Sequence, residues 1–268
     1  MPLSDLTVNH VTPKLKWINL LGYNKSGKTK TLVKLSKLIP TFIIDADRVG
    51  SKPYIGAKTF VHVGLDDTVD EMSVLTFSKR ILPEILVQNE YKIAVVDPVT
   101  SFFVYMQDSL MKGWNIKDLK DKQIEGLGNG WTYLYRRFET IMNQLFASFD
   151  LVITVSHLKM AQHYKGDSIK VSYGDINLIG QARDYVADKA DCHLAFYDGV
   201  DEKGKHISKI NWVDDTGLRE INIGSRHYKF VERIKTDEDF LKEMCKMFNV
   251  PYRHIPDEEV IGNGEILY

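Results

Sequence analysis

The sequence lacks the features that would place it in a membrane or in an oxidising compartment. Its 268 residues include only two cysteines, Cys192 and Cys245, which lie far apart and form no C-x-x-C motif. No apolar run approaches the roughly 18 residues of a membrane-spanning helix, and the N-terminus has no basic-then-apolar signal pattern. These absences predict reduced thiols, no contact with a membrane and a location in the cytoplasm.

An excess of charge of either sign is also missing. The formal net charge is −1, with 35 basic and 36 acidic residues interspersed, so any contact with nucleic acid must come from local patches. The eight histidines are scattered without metal-ligand spacing, which argues against a zinc site. Internal repeats and low-complexity segments are absent too, and the length suits one α/β domain or two small ones.

One motif stands out against this background, because it fits the pattern G-x-x-x-x-G-K-[ST] of a phosphate-binding loop. Its residues are Gly22, Tyr23, Asn24, Lys25, Ser26, Gly27, Lys28 and Thr29, followed by Lys30. The glycines let successive backbone N–H groups converge on phosphate oxygens. Lys28 can neutralise charge on the β and γ phosphates, and the Thr29 hydroxyl can hold Mg²⁺. A short apolar run before the motif and helical spacing after it predict that a nucleotide binds here.

Strand-like and helix-like segments alternate along most of the chain. Apolar runs predict buried strands at 17–21, 41–44, 59–63, 93–96 and 151–155. Helical periodicity appears at 30–38, 70–89 and 131–149, with Pro83 implying a kink or a break in the second of these. This alternation predicts a mainly parallel sheet flanked by helices.

After residue 191 the pattern changes to strands and turns, which predicts an antiparallel β extension toward the C-terminus. Its strands are expected at 192–197, 206–213 and 219–223, and Thr236 is expected to open a C-terminal helix. Residues 251–268 are predicted to form a mildly acidic, frayed tail, with a partner-docking peptide as the alternative. The expected organisation is a lead-in at 1–16, one domain at 17–235, and a helix with a tail at 236–268.

Three of the predicted strands end in polar residues. Asp45 and Asp47 follow the second strand, Asp97 follows the strand at 93–96, and His157 follows the strand at 151–155. Taken singly, an aspartate here caps a helix about as often as it binds a ligand, and a histidine is more often structural. Because parallel strands place their carboxyl ends at one edge of the sheet, these residues are expected to converge on the phosphate loop.

These motifs resemble those of the RecA-like P-loop ATPases. The run from Ile43 to Asp47 is similar to the family's strand that ends in Asp-Ala-Glu, which implies that Asp47 activates the attacking water, although it is one methylene shorter than glutamate. Val95-Val96-Asp97 resembles a Walker B strand, with Pro98 in place of the usual serine, and implies that Asp97 joins Thr29 in holding Mg²⁺. The resemblance implies that His157 senses the γ phosphate, and that ATP and Mg²⁺ are the cofactors.

A closer resemblance is to bacteriophage-encoded RecA-like proteins associated with single-strand annealing and recombination. It is carried by the segment Gly130-Trp131-Thr132-Tyr133-Leu134-Tyr135-Arg136-Arg137-Phe138. It implies a homo-oligomer, phage replication or recombination proteins as partners, and the cytoplasm of the host cell as the location. Arg226 occupies the place where related ATPases carry an arginine that reaches a neighbouring subunit's nucleotide. A surface arginine on a turn is the alternative for Arg226.

Two segments, expected to be rich in loops, are candidates for contacting single-stranded DNA. They span residues 105–129 and 158–179 and interleave lysines with aromatic residues, a combination that suits phosphates and unstacked bases. An ordinary solvated helix is the alternative for the first segment. The sequence therefore leaves three functions open: an ATPase acting on single-stranded DNA, an ATP-binding assembly switch or clamp with little hydrolysis, and a nucleotide kinase.

Overall fold

In the part of the chain that the structure describes, nine strands form a mainly parallel central sheet. The structure is a computed structural model that describes residues 14–47, 60–67, 72–88, 90–165, 169–200, 206–211 and 227–260. Its strands are β1 (Trp17–Gly22), β2 (Thr41–Asp45), β3 (Phe60–Gly64), β4 (Met72–Ser73), β5 (Ile93–Asp97), β6 (Gln123–Ile124), β7 (Gly128–Asn129), β8 (Leu151–Lys165), β9 (Ile169–Ile176), β10 (Cys192–Val200) and β11 (His206–Asn211). β6 and β7 form a separate small hairpin.

Helices cover both faces of this sheet. They are α1 (Lys28–Leu38), α2 (Val74–Thr76), α3 (Leu82–Gln88), α4 (Val99–Trp114), α5 (Gly130–Ser148), α6 (Gly180–Lys189), α7 (Tyr228–Val231) and α8 (Asp237–Met247). A π-helical turn, Phe77–Ile81, joins α2 to α3, and short 3₁₀ helices lie at Leu119–Asp121 and Asp257–Glu259.

The order of the strands across the sheet is β11-β10-β1-β8-β5-β2-β3-β4. All neighbours on this path are parallel except β10 and β11, which are antiparallel, and β9 pairs antiparallel with the outer half of β8. The predicted fold class is confirmed: an α/β P-loop fold with an antiparallel extension toward the C-terminus.

Two hydrophobic clusters, one on each face of the sheet, make the core. Trp17 and Leu21 of β1 belong to the cluster beneath α4, α5 and α6, whereas Ile18 and Leu20 belong to the cluster beneath α1 and α8. Every residue of β1, β2 and β5 is buried, because helices cover these strands on both faces. This packing fixes the carboxyl ends of the central strands relative to one another.

Near Pro83, where the sequence predicts a kink or a break, the helix changes its geometry but continues from α2 into α3. The amide of Leu82 bonds to the carbonyl of Phe77, five residues back, so a wider π-helical turn ends immediately before Pro83. Proline cannot donate a backbone hydrogen bond, which accounts for the altered geometry at this point.

Both segments expected to be loops are largely ordered secondary structure, so this expectation is wrong. The first begins inside α4. Met106 and Leu110 lie one helical turn apart on this helix, and their burial in the core accounts for the helical structure here. The second is a two-stranded antiparallel arm whose register runs from Leu158 opposite Ile176 to Lys165 opposite Ile169. We call residues 158–176 the arm. Among the residues that the structure describes, β8 pairs only with β9 beyond His157.

The C-terminal region contradicts one expectation and confirms another. Thr236 caps α8 with a capping box that it shares with Asp239, as the sequence predicts. Residues 251–260 are not frayed, because Ile255 and Val260 are buried in the same cluster as α1 and α8. The strand expected at 219–223 lies outside the described residues.

Candidate functional site

The phosphate-loop motif forms the turn between β1 and α1. Gly22 and Gly27 have φ angles of 155° and 91°, which residues with a side chain rarely adopt. A Cβ atom on Gly27 would lie 1.8 Å from Oγ of Ser208, and one on Gly22 would lie 2.6 Å from the carbonyl oxygen of Phe196. Both glycines are therefore required by the backbone and by close neighbours in β10 and β11. The turn leads into the N-terminus of α1, whose free amides favour an anion.

The ammonium group of Lys28 lies inside this turn. Its Nζ donates to the carbonyl oxygens of Gly22, at 3.0 Å, and Tyr23, at 2.8 Å, and to Oγ of Ser26 at 3.0 Å. Burial lowers the pKa of Lys28 to about 8, although the negative charge of Asp97 opposes this change. The loop thus holds a desolvated cation, which interacts with a phosphate more strongly than an exposed one does.

The hydroxyl of Thr29 joins the loop to the neighbouring strand ends. It donates to Oδ2 of Asp97 at 2.8 Å, and Asp97 is itself buried at the end of β5. A hydroxyl beside a carboxylate is the oxygen donor set that Mg²⁺ prefers in proteins. Thr29 and Asp97 are therefore suited to hold that ion.

The position of His157 follows from the order of the strands. β8 lies between β1 and β5, and its register places His157 beside Gly22. Burial lowers the pKa of His157, and the positive charge of Lys28 lowers it further, against the opposing charges of Asp97 and Asp47. A neutral imidazole therefore lies between the loop and the Asp97 strand.

Asp45 and Asp47 have different environments, although they are only two residues apart. Asp45 pairs in register with Asp97, and its Oδ1 accepts from the amide of Asp47 at 3.0 Å. Its Oδ2 lies 3.1 Å from Nδ1 of His62, and the side chain is only 1% exposed. Burial raises the pKa of Asp45 to about 8, and the charges of Asp97 and Asp47 add to the rise, so the group holds its proton at neutral pH. A protonated Asp45 fixes the backbone at Asp47, whose side chain is half-buried.

Replacing Asp45 with asparagine is expected to change how stability depends on pH. In the unfolded chain Asp45 ionises near 3.8, whereas in the folded protein it keeps its proton to about 8. Its contribution to the free energy of unfolding therefore falls as pH rises through this window. Asp45→Asn does not titrate, so its stability relative to the wild type should rise between about pH 5 and pH 8 by on the order of 1–3 kcal/mol. Urea unfolding at both pH values measures this, and parallel profiles would contradict the buried, protonated state.

A buried polar network, which the sequence patterns do not reveal, crosses the sheet beneath the loop. Oδ1 of Asn19 accepts from the hydroxyls of Thr154, at 2.8 Å, and Ser156, at 2.9 Å. Its amide nitrogen lies 3.1 Å from Nδ1 of His193, and Nε2 of that ring lies 3.1 Å from the carbonyl oxygen of Ala187. Since the Asn19 amide donates, Nε2 of His193 carries the hydrogen. These bonds tie β1, β8 and β10 together below the strand ends.

Most of the predicted site residues meet at one edge of the sheet. Lys28 and Thr29 of the loop lie together with Asp97 and His157. Asp47 is near enough for its negative charge to raise the pKa of His157 and of Asp45. Lys30 points to another part of the molecule, because its Nζ lies 2.6 Å from Oδ2 of Asp257.

Four further predicted site residues lie away from this edge or outside the described residues. Of these, Tyr23, Asn24 and Lys25 form the exposed tip of the loop. Arg226 lies outside the described residues, so its role stays a prediction.

The fold and the loop define a P-loop ATPase domain. The chain belongs to a family of AAA domains, whose model matches residues 16–233. Membership of this family implies nucleotide binding and ATPase activity in general terms. The match covers the sheet, the phosphate loop and the strand ends that carry Asp97 and His157.

A solved structure similar to this chain is that of the ATPase DotB of Legionella pneumophila. The two are 10% identical with a TM-score of 0.32, and the match covers 91% of this chain and 60% of the DotB chain. No curated protein matches the sequence. In the described part of the chain, no helix is long and apolar enough to cross a membrane.

Proposed function

We propose that this protein binds and hydrolyses ATP, with Mg²⁺, to act on single-stranded DNA in the recombination, annealing or replication of a bacteriophage. The observation that carries the ATPase part is the meeting of Lys28, the Thr29–Asp97 pair and His157 at one edge of the sheet. A triphosphate in the loop would have a cation, a metal-binding pair and a neutral imidazole around its terminal phosphate.

Each residue would have a distinct role in hydrolysis. Lys28 would neutralise charge on the β and γ phosphates, and His157 would hydrogen-bond to the γ phosphate. Asp47 would accept a proton from the attacking water. The oxygen of that water would bond to the γ phosphorus as the bond between the γ phosphorus and the β-phosphate oxygen breaks. Mg²⁺ bound by Thr29 and, through water, by Asp97 would supply positive charge at the phosphate oxygens.

The environment of the two acids supports Asp47 rather than Asp45 as the base. Asp45 is buried, its Oδ1 accepts from the amide of Asp47, and burial raises its pKa to about 8, so it keeps its proton at neutral pH. A group that already holds its proton cannot accept another from water. Asp45 therefore serves as a positioning residue for Asp47.

The arm supports the choice of single-stranded DNA as the partner. It begins at the residue after His157, so β8 continues from the proposed γ-phosphate site directly into the arm. Its sequence contains Lys159, Lys165 and Lys170 together with Tyr164 and Tyr173. Amines for phosphates and rings for bases are the chemistry that binds a single strand.

Reversing the charge of the arm is expected to weaken DNA binding. A variant with Lys159, Lys165 and Lys170 replaced by glutamate should bind a single-stranded oligonucleotide at least tenfold more weakly. The slope of log affinity against log salt concentration should also become less negative by about 2, because each lost phosphate contact changes this slope by roughly 0.7. Fluorescence anisotropy at several salt concentrations, with and without ATP, measures both quantities.

The matched control reverses three lysines in the other candidate segment, Lys117, Lys120 and Lys122, and should bind like the wild type. Loss of binding in this control alone would move the DNA site to residues 105–129. A wild-type protein that binds no oligonucleotide at low salt would remove the DNA part of the proposal.

Measuring turnover separates the remaining functions. Hydrolysis that rises with single-stranded DNA supports the proposal, while tight ATP binding without turnover would indicate an assembly switch or clamp. Transfer of phosphate to a nucleotide would indicate a kinase. A homo-oligomer, with Arg226 reaching a neighbouring site, remains part of the proposal.

A further inference from the structure

We propose that the nucleoside half of the bound nucleotide lies in a cavity walled by residues 251–260, which we call the C-terminal wall. This inference rests on the proposed ATP binding. The cavity has a volume of about 460 Å³ and begins at Lys25 and Gly27 of the phosphate loop itself. That volume falls in the range of small-molecule sites, about 300–1,000 Å³.

The order of the strands gives the direction in which the nucleotide would extend. Asp97 at the end of β5 and His157 within β8 lie on one side of β1, and Asp198 and Ser208 belong to β10 and β11 on its other side. Asp198 and Ser208 line the cavity. A triphosphate whose γ phosphate faces Asp97 and His157 therefore has its nucleoside end on the side of the cavity.

The C-terminal wall is fixed to the same helix that follows the phosphate loop. Asp257 lies 2.6 Å from Nζ of Lys30 and 2.9 Å from Nζ of Lys34. Although burial opposes it, hydrogen bonds from these two ammonium groups lower the pKa of Asp257 to about 2, so the pairs persist at neutral pH. Ile255 is only 1% exposed and anchors the wall in the core. The loop and the wall are thus both held by α1, which pre-organises the cavity.

The charges of the cavity select its ligand. Five carboxylates line it, against the three ammonium groups of the loop and α1. Two of those ammonium groups, of Lys30 and Lys34, are paired with Asp257. A further anion is disfavoured in such a lining, while a neutral group rich in hydroxyl and amino donors is favoured. A ribose and a base with an exocyclic amine have this chemistry, and a phosphate does not.

An aromatic ring of the wall also lines the cavity at a fixed position. The hydroxyl of Tyr252 donates to Oε1 of Glu238 at 3.0 Å, and Glu238 lines the cavity as well. Leu241 and Pro256 add apolar surface. These side chains provide contacts for the faces of a base, in addition to acceptors for its amino group.

The test compares a ligand that needs the cavity with one that does not. Inorganic tripolyphosphate occupies only the phosphate loop, whereas ATP occupies both regions. Tyr252→Ala is expected to bind ATP at least fivefold more weakly than the wild type does, with unchanged affinity for tripolyphosphate by isothermal titration calorimetry. The control Tyr133→Ala, a half-buried tyrosine on α5, should change neither affinity.

A second measurement uses the unmodified protein, so it does not depend on the folding of a variant. Photolysis with 8-azido-ATP should label the peptide containing residues 252–258, and excess ATP should prevent the labelling. Labelling elsewhere, or equal losses of ATP and tripolyphosphate affinity in Tyr252→Ala, would overturn this inference. Either result would leave the proposal that the protein binds ATP unaffected. A wild-type protein that binds neither ligand would instead overturn the proposed function, and this inference with it.

Discussion

Replacing Lys28 with alanine is expected to weaken ATP binding by at least a hundredfold and to reduce turnover to background. The ammonium is desolvated inside the loop, where it makes three hydrogen bonds, so its attraction for phosphate is poorly screened. Removing one pre-organised donor of this kind costs about 10²–10³ in rate in other enzymes. Calorimetry with ATP and a phosphate-release assay measure the two effects.

The pH dependence gives a second check on the same residue. Because the pKa of Lys28 is about 8 in the free protein, its ammonium loses its proton as the pH rises past that value. ATP binds the charged form, so the affinity of the wild type should fall above about pH 8, and the Lys28→Ala profile should lack this fall. Lys25→Ala, which removes an exposed lysine of the same loop, is the matched comparison. An equal loss in both variants would contradict the special role of the buried cation.

Replacing Asp47 with asparagine is expected to separate binding from hydrolysis. Turnover should fall by about 10²–10⁴, the usual contribution of a general base, while ATP affinity changes by less than about threefold. The reason is that asparagine keeps the size of the side chain and cannot accept the proton. Single-turnover hydrolysis and equilibrium binding separate the two quantities.

Asp47→Glu is the informative companion, because it restores the longer carboxylate seen in RecA-like ATPases. It should retain turnover or increase it. Asp150→Asn removes a surface carboxylate immediately before β8 and controls for the loss of charge alone. Normal turnover in Asp47→Asn would show that another group orients the water, and would favour the switch or clamp.

The local parts of this site could be predicted from the sequence. The phosphate loop follows a fixed spacing of glycines and a lysine, and the apolar runs before Asp45, Asp97 and His157 have the length of buried strands. Parallel strands then require that these residues share one edge of the sheet. Each of these steps uses residues that are close together in the chain.

The rest depends on residues that are distant in sequence. The Asn19–His193 bond joins positions 174 apart, and no periodicity records such a pair. Likewise, the acidic composition of residues 257–259 predicts a solvated tail, but lysines on α1 pair with Asp257 and bind it to the fold. The sequence predicts a loop at the arm because long polar strands lack the alternation of a half-buried sheet.

The place of β1 in the sheet has a consequence for the order in which the phosphate-loop site can form during synthesis. β1 is made early, yet both of its neighbours come much later, pairing it with residues 152–157 and 192–196. Such distant pairings form slowly, because a long stretch of chain must close before any contact is gained. The phosphate loop is therefore synthesised well before the two strands that flank it. We expect a nascent chain to form the complete loop site only after β10 has emerged from the ribosome.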